Sequence, residues 1–226
     1  MRIGYAPFAD GVNAGTYANA MNGGVAAPNN CVYERANTSN QNTDNFPVGA
    51  SVLKTRLDLP SANNCSSAQV LPMTSDKVLL KNTVDSDWTN GSTAGHLGTA
   101  FTWYLLSPQW ASVWPAASQP VAYNSGTTSK VAILMTDGEY NTVGGNYSGS
   151  NRRRSENFAT ATCAAMKAQG IRVYTVGFQL RQPNATATLQ ACASDSNKFY
   201  AAEDADALRM AFQAIAQDIA TLRISE

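Results

Sequence analysis

The segment from Lys130 to Glu139, KVAILMTDGE, constrains the fold more than any other part of the chain. Val131 to Met135 form an unbroken apolar run, and we predict a strand that is buried on both faces, because a half-exposed strand alternates apolar with polar residues. Asp137 and Gly138 end this run. Ligands and ions bind at the carboxyl ends of strands in open α/β sheets, which makes Asp137 a candidate ligand. A plain Asp-Gly turn is the alternative.

The other apolar patterns predict strands that alternate with helices. The predicted strands are residues 2–8, 51–57, 69–73, 130–136, 171–178 and 198–201. The predicted helices are one with Thr74 or Ser75 as its N-cap and Val78 to Leu80 as its apolar part, then 94–106, 154–169, a short helix from Pro183, and 204–223. The last helix has a core-facing apolar stripe of Leu208, Phe212, Ile215, Ile219 and Leu222. A strand, a helix and a strand in this order give a crossover between parallel strands. We therefore expect an α/β fold with a Rossmann-like, largely parallel sheet that is flanked by helices.

Length and charge limit the classes of protein to consider. The chain has 226 residues and a net charge of +0, which suits one domain over residues 1–226 and gives no electrostatic reason to bind nucleic acid. No segment approaches the roughly 20 apolar residues of a membrane span. Met1 is followed by a strand-like run, Arg2-Ile-Gly-Tyr, rather than by a signal peptide.

The cysteines indicate an oxidising compartment. Cys31, Cys65, Cys163 and Cys192 are an even number without the CxxC spacing of zinc sites. Three pairings are possible, and we favour the sequence-local pairs Cys31–Cys65 and Cys163–Cys192; four buried free thiols are the alternative. The first pair would hold together a loop-rich insertion at residues 13–68. An oxidising compartment without an export signal leads us to expect a targeting segment upstream of Met1.

Two motifs resemble the von Willebrand factor A domain. Gly91-Ser92-Thr93 opens a predicted helix, and Leu134-Met-Thr-Asp137-Gly-Glu139 ends a predicted strand. In that family, a metal-ion-dependent adhesion site takes a Thr from one loop and an Asp from another. The resemblance therefore implies Thr93 and Asp137 as metal ligands in a non-enzymatic interaction domain.

Further segments are similar to the C-terminal region of TadG-like pilus assembly proteins. They are Arg2-Ile-Gly-Tyr-Ala-Pro-Phe8, Cys31-Val-Tyr-Glu-Arg35, Leu71-Pro-Met-Thr-Ser-Asp-Lys77, Leu106-Ser-Pro108 and Ala211-Phe-Gln-Ala-Ile-Ala-Gln-Asp-Ile-Ala220. This resemblance implies a domain at the periplasmic face of the bacterial inner membrane that assists assembly of tight-adherence (Flp-type) pili. Its partners would be other pilus-assembly or cell-envelope proteins, and it would touch the membrane only through an anchor outside this sequence.

One part of the family pattern is missing. Family metal sites begin with an Asp-x-Ser-x-Ser loop after the first, central strand, and this sequence contains no such motif. Met1 falls just before the segment that resembles the second family strand, so we expect an N-terminally incomplete domain. Mg²⁺ takes about six oxygen ligands, whereas Thr93 and Asp137 supply two. The resemblance thus implies a half-present site that binds Mg²⁺ weakly or not at all.

Two other functions are compatible with the same residues. A Mg²⁺-dependent hydrolase could use Asp137 as ligand or nucleophile, although such enzymes need a second acid in an Asp-x-Asp arrangement. A secreted adhesin of the same fold is a further alternative. His96 is the only histidine, and we expect it to pack or cap rather than to catalyse. We expect Glu34 and Arg35 to form an ion pair under the insertion.

Overall fold

The computed structural model describes residues 1–59, 64–88 and 91–222. The strands, numbered β1 to β10, are Ile3–Tyr5, Val12–Asn13, Cys31–Arg35, Leu53–Thr55, Leu71–Thr74, Val131–Thr136, Thr142–Val143, Asn146–Tyr147, Arg172–Phe178 and Phe199–Ala202. The α-helices, numbered α1 to α6, are Ala18–Met21, Lys77–Asp85, Gly95–Leu106, Gly149–Ala168, Pro183–Cys192 and Ala205–Leu222. The expected loop after α3 contains short 3₁₀-helices at Pro108–Val113 and Ala116–Ser118.

The expected α/β class is confirmed in its coarse form. The parallel sheet has the order β10–β9–β6, with α4 connecting β6 to β9. Two further sheets, β1–β5 and β2–β3–β4, are antiparallel, and β7–β8 is an antiparallel hairpin. Within the described ranges, the parallel part therefore spans three strands, and no backbone ladder connects it to β1–β5.

Helices cover both faces of β9. On one face, Val173 packs with Trp103 of α3, Met166 of α4 and Cys192 of α5. On the other face, Tyr174 and Val176 pack against α6 through Ala211 and Ile215. β9 is buried on both sides for this reason, as expected for the middle strand of a parallel sheet.

The prediction that the strand at 130–136 is buried on both faces is wrong. Ala132 and Leu134 are buried, but Ile133 and Met135 are 37% and 39% exposed. The reason is that α6 lies over β9 and β10, and only Val131 of β6 reaches its apolar cluster. One face of β6 is thus left open beside an edge that pairs with no other described strand.

Two helix predictions also need correction. In α6, Ala211 and Ile215 face the sheet, whereas Phe212 is 39% exposed, so the apolar stripe is only partly core; the Leu222 side chain lies outside the described part. In α2, the N-cap is Asp76, whose Oδ1 accepts hydrogen bonds from the amides of Val78 and Leu79.

Neither predicted cap of α2 serves as its N-cap. Thr74 belongs to β5, where it pairs with Ile3 of β1, and Ser75 follows it in the chain. The predicted apolar part of α2 is not core either, because Val78 is 70% exposed and no residue of the helix is buried.

The loop-rich stretch at 13–68 holds more regular structure than expected. β3 pairs with both β2 and β4, and all its residues are buried. A large apolar cluster joins this sheet to α3 and to the segment that follows α3. Its members include Val12, Met21, Val32, Leu53, Leu97, Phe101, Tyr104, Trp110 and Trp114. The insertion therefore shares its core with the rest of the molecule.

Arg35 is a buried cation in this insertion. Its guanidinium donates to Tyr104 Oη at 3.1 Å and to the carbonyl oxygens of Ser51 at 2.6 Å and Asn45 at 2.8 Å. The expected Glu34–Arg35 ion pair is wrong. Successive side chains of a strand point to opposite faces, so Glu34 meets a different set of partners.

Both favoured disulfides are present, Cys31–Cys65 and Cys163–Cys192. The first connects β3 to the segment that begins at residue 64, and the second connects α4 to α5. Of the helices in the described ranges, none has the length and apolarity needed to cross a membrane.

Candidate functional site

The loop after β6 begins with a tight turn. The Gly138 amide donates to Thr136 Oγ1 at 3.1 Å, so the buried side chain of Thr136 stabilises the turn. Asp137, between them, is exposed. Next along the chain, Glu139 forms an ion pair with Arg152 of α4, at 2.5 Å. Asp137 is therefore the solvent-facing carboxylate of this loop.

A second loop, which carries Thr93, is attached to the first by two reciprocal hydrogen bonds. The Thr93 amide donates to Asn141 Oδ1, and the Asn141 amide donates to the Thr93 carbonyl oxygen, both at 2.9 Å. A Cβ atom on Gly138 would lie 3.1 Å from Thr93 Oγ1, so glycine permits this close approach. The structure thus brings together the two loops that carry Thr93 and Asp137.

A third loop supports the Thr93 loop from the other side. Asp10 is buried, and its Oδ1 accepts a hydrogen bond from the Ser92 amide at 2.8 Å. The Ala94 amide donates to the Ala9 carbonyl oxygen at 2.9 Å. The motifs in the sequence did not single out Asp10. A related signal is nevertheless present, since Asp10-Gly11 lies shortly after the strand predicted at residues 2–8, as Asp137-Gly138 lies after the strand predicted at 130–136.

Below these loops lies a buried polar cluster. Glu34 Oε1 accepts a hydrogen bond from His96 Nε2 at 3.0 Å and from the Gly144 amide at 2.7 Å. His96 Nδ1 contacts Ser155 Oγ of α4 at 2.8 Å. Burial alone would raise the pKa of Glu34, but the hydrogen bonds from His96 and Gly144 outweigh burial and hold this pKa below its ordinary value. The cluster therefore favours an ionised Glu34.

The same cluster resembles a Ser-His-Glu catalytic set in its order of contacts, but not in its accessibility. Ser155 is 0% exposed and His96 is 3% exposed. A nucleophile must reach its substrate, so this buried serine is a structural hydrogen-bond partner. His96 packs in the interior, as expected, with its ring 5.6 Å from that of Phe158, and it also bridges β3 and α4 through hydrogen bonds. No sequence signal identified Glu34 or Ser155 as its partners, because the contacts span distant segments.

Comparison with known families gives one match, over the region that contains the parallel sheet. Residues 117–214 match the von Willebrand factor type A domain model. A search of curated proteins gave no match. The matched region runs from the segment before β6 into α6 and includes Asp137, while Thr93 precedes it. Domains of this type generally serve protein interaction or adhesion rather than catalysis.

Von Willebrand factor type A domains often bind a metal ion, and the chemical groups of Thr93 and Asp137 are suitable ligands for one. Thr93 and Asp137 offer a hydroxyl and a carboxylate, the hard oxygen ligands that Mg²⁺ prefers. Two ligands are too few, however, since Mg²⁺ takes about six oxygens. Within residues 1–59, 64–88 and 91–222, no group of three or more His, Cys, Asp or Glu side chains is placed to hold an ion. Asp10 is already engaged by Ser92 and by Asn64.

Proposed function

We propose that this chain is the interaction domain of a pilus assembly protein of the TadG-like type, which acts at the periplasmic face of the bacterial inner membrane. It binds other pilus-assembly or cell-envelope proteins at the edge formed by the loops that carry Thr93 and Asp137. The domain performs no chemistry of its own. Its metal site is completed only when further oxygen ligands join these two residues.

The observation that carries the proposal is the pairing of the two loops at the carboxyl end of β6. Reciprocal hydrogen bonds between Thr93 and Asn141 hold the two loops next to each other. The loop after β6 lies within the region that matches the von Willebrand factor type A domain. Two disulfides add support for the compartment, because disulfides persist in oxidising environments such as the bacterial periplasm.

The enzymatic alternative has less support. A Mg²⁺-dependent hydrolase would need a second acid beside Asp137. Glu139 is paired with Arg152, and Asp10 accepts backbone and amide hydrogen bonds. The secreted adhesin keeps the same fold and the same site, and differs only in its location and partner.

A cross-linking experiment in cells tests the proposal. A photo-reactive residue at Asn146, which is exposed near the site, should cross-link to another cell-envelope protein of a bacterium that makes tight-adherence pili. Asp137→Ala should abolish that product. The matched control places the same group at Lys81, on the exposed side of α2, where no such product is expected.

Location separates the remaining alternatives. Fractionation of a bacterium that makes tight-adherence pili should recover the protein with the inner membrane. Recovery in the medium, with cross-links only to host surface proteins, would favour the adhesin and contradict the proposal.

A further inference from the structure

Glu34 contacts the segments that directly follow the two loops of the proposed site, and it does so with a single oxygen atom. Glu34 belongs to β3, in the insertion, yet its Oε1 accepts from His96 at 3.0 Å and from Gly144 at 2.7 Å. His96 lies in the first turn of α3, directly after the Thr93 loop. Gly144 lies in the turn between β7 and β8, directly after the Asp137 loop. One carboxylate therefore reaches the rear of each loop.

These hydrogen bonds and two short main-chain segments, residues 93–96 and 141–144, form a closed ring. From Glu34 the ring passes through His96 to the Thr93 loop, crosses to Asn141 through the two 2.9 Å bonds, and returns along the chain to Gly144. Ser155 holds the other side of His96 at 2.8 Å and attaches the ring to α4. A change in the position of Glu34 must therefore alter either the α3 end or the hairpin end of the site.

Burial makes this ring hard to replace. Glu34 is 5% exposed, and its second oxygen, Oε2, has no hydrogen-bond partner among the described residues. Hydrogen bonds to an ionised group are stronger than neutral ones, and a buried donor that is left without its acceptor destabilises the folded state. The amide of Gly144 and the imidazole of His96 thus depend on the same Oε1 atom, with little water available as a substitute.

We propose that Glu34 is a positioning residue that sets the spacing between Thr93 and Asp137. The insertion is then a part of the site, and a contact that displaces β3 changes the geometry offered to a ligand. The role of the spacing rests on the proposed function, whereas the mechanical link between Glu34 and the two loops does not.

Hydrogen exchange tests the link without any ligand. In Glu34→Ala, exchange of the Thr93, Asn141 and Gly144 amides should speed up about tenfold, because local opening loses the shared acceptor. The Val173 amide in β9 should keep its wild-type rate. Glu34→Gln, which retains an acceptor oxygen, should restore most of the protection. The control Asp218→Asn removes a carboxylate of α6 that accepts hydrogen bonds from Tyr174 and Lys198, and it should leave the site amides unchanged.

The possible outcomes show whether Glu34 positions the two loops or only stabilises the fold as a whole. Faster exchange at Gly144 alone, with Thr93 and Asn141 unchanged, would overturn the proposal, as would a uniform increase that includes Val173. If Glu34→Ala does not fold, Ser155→Ala takes its place, since it removes only the hydroxyl beside His96 Nδ1. A local increase at Thr93 and Asn141 then supports the proposal, and its absence overturns it.

A second measurement separates this inference from the proposed function. Paramagnetic broadening by Mn²⁺ at Thr93 and Asp137 should weaken about fivefold in Glu34→Ala relative to the wild type, in line with the loss of oriented ligands. If the wild type shows no broadening at these residues, the metal part of the proposed function fails while the exchange result still decides the link. If the wild type is broadened and Glu34→Ala is broadened equally, Glu34 does not position the ligands and the proposal fails.

Discussion

Glu34 and Arg35 are adjacent in the sequence, but their surroundings differ completely. Glu34 meets His96 and Gly144, while Arg35 meets Tyr104 and a set of carbonyl oxygens. The alternation of side chains along β3 explains the difference. The sequence could have excluded an ion pair between them if this strand had been recognised. It could not have identified the partners, because His96 and Tyr104 are brought close only by the packing of α3 on the insertion.

At the residue scale, Glu34 should make stability depend on acid pH. Its pKa is held below the ordinary value of 4.5, so the folded state favours the carboxylate. The stabilisation is complete above that ordinary pKa and is lost as the pH falls through the lower folded value. Urea unfolding should show Glu34→Gln to be less stable than wild type by about 1 kcal/mol at pH 7, the difference between hydrogen bonds to a charged and to a neutral acceptor. The gap should narrow below pH 4.5, and a gap that persists unchanged down to pH 2 would contradict this account.

Asp137 gives a second prediction at this scale, on metal binding. With Thr93 and Asp137 as the only family ligands, calorimetry should detect no tight binding of Mg²⁺ or Mn²⁺. Joining an Asp-x-Ser-x-Ser segment upstream should restore binding, and Asp137→Ala should then abolish it. Because Asp137 is exposed, that substitution should change the free energy of unfolding by only about 0.5 kcal/mol. Tight binding by residues 1–226 alone would show that other ligands exist.

At the element scale, long elements with local end signals were predicted well. The helix expected at 94–106 is Gly95–Leu106, and the strand expected at 171–178 is Arg172–Phe178. α4 begins at Gly149, earlier than the expected residue 154, since Ser148 Oγ accepts from the Asn151 amide and caps it. The strands β2 and β3 escaped prediction because their pairing is remote: Val32 pairs with both Val12 and Thr55. Such short strands carry little periodic signal of their own.

The disulfides give a prediction about elements. Non-reducing peptide mapping should recover the linked pairs Cys31–Cys65 and Cys163–Cys192 and no mixed pair. The second bridge closes a sequence separation of 29 residues between α4 and α5. In the chain-entropy model, replacing both of its cysteines by alanine should cost about 3.5 kcal/mol in urea unfolding. A loss below about 0.5 kcal/mol would show that packing of α4 against α5 suffices without the bridge.

At the scale of the whole molecule, the apolar pattern of β6 and the observed burial disagree for a physical reason. The sequence VAILM suits a strand with cover on both faces and neighbours on both edges. The described chain supplies one neighbour, β9, and cover mainly from one face. The family resemblance pointed to Thr93 and Asp137, and the apolar pattern indicated this strand. Neither of them determines how exposed the Ile133 and Met135 side chains are, because that depends on how many strands the sheet contains.

The open edge of β6 leads to the last prediction, that residues 1–226 associate with themselves. β6 pairs only with β9, and β1 pairs only with β5, within the described ranges. In the order implied by the family resemblance, one more strand lies between β1 and β6. Unpaired edges with apolar side chains invite pairing with another chain, and a charged residue on such an edge opposes it. Size-exclusion chromatography with light scattering should therefore show dimers or larger species that grow with concentration.

Substitutions on β6 connect that association to its cause. Ile133→Lys combined with Met135→Lys should shift the chain towards monomer, because lysine resists burial in a strand interface. Val48→Lys is the matched control, since Val48 is apolar and exposed on the insertion, away from β6, and it should leave the association unchanged. A wild-type monomer at all concentrations, with one cooperative melt above about 50 °C, would mean that the chain protects the β6 edge and that the sheet needs no further strand.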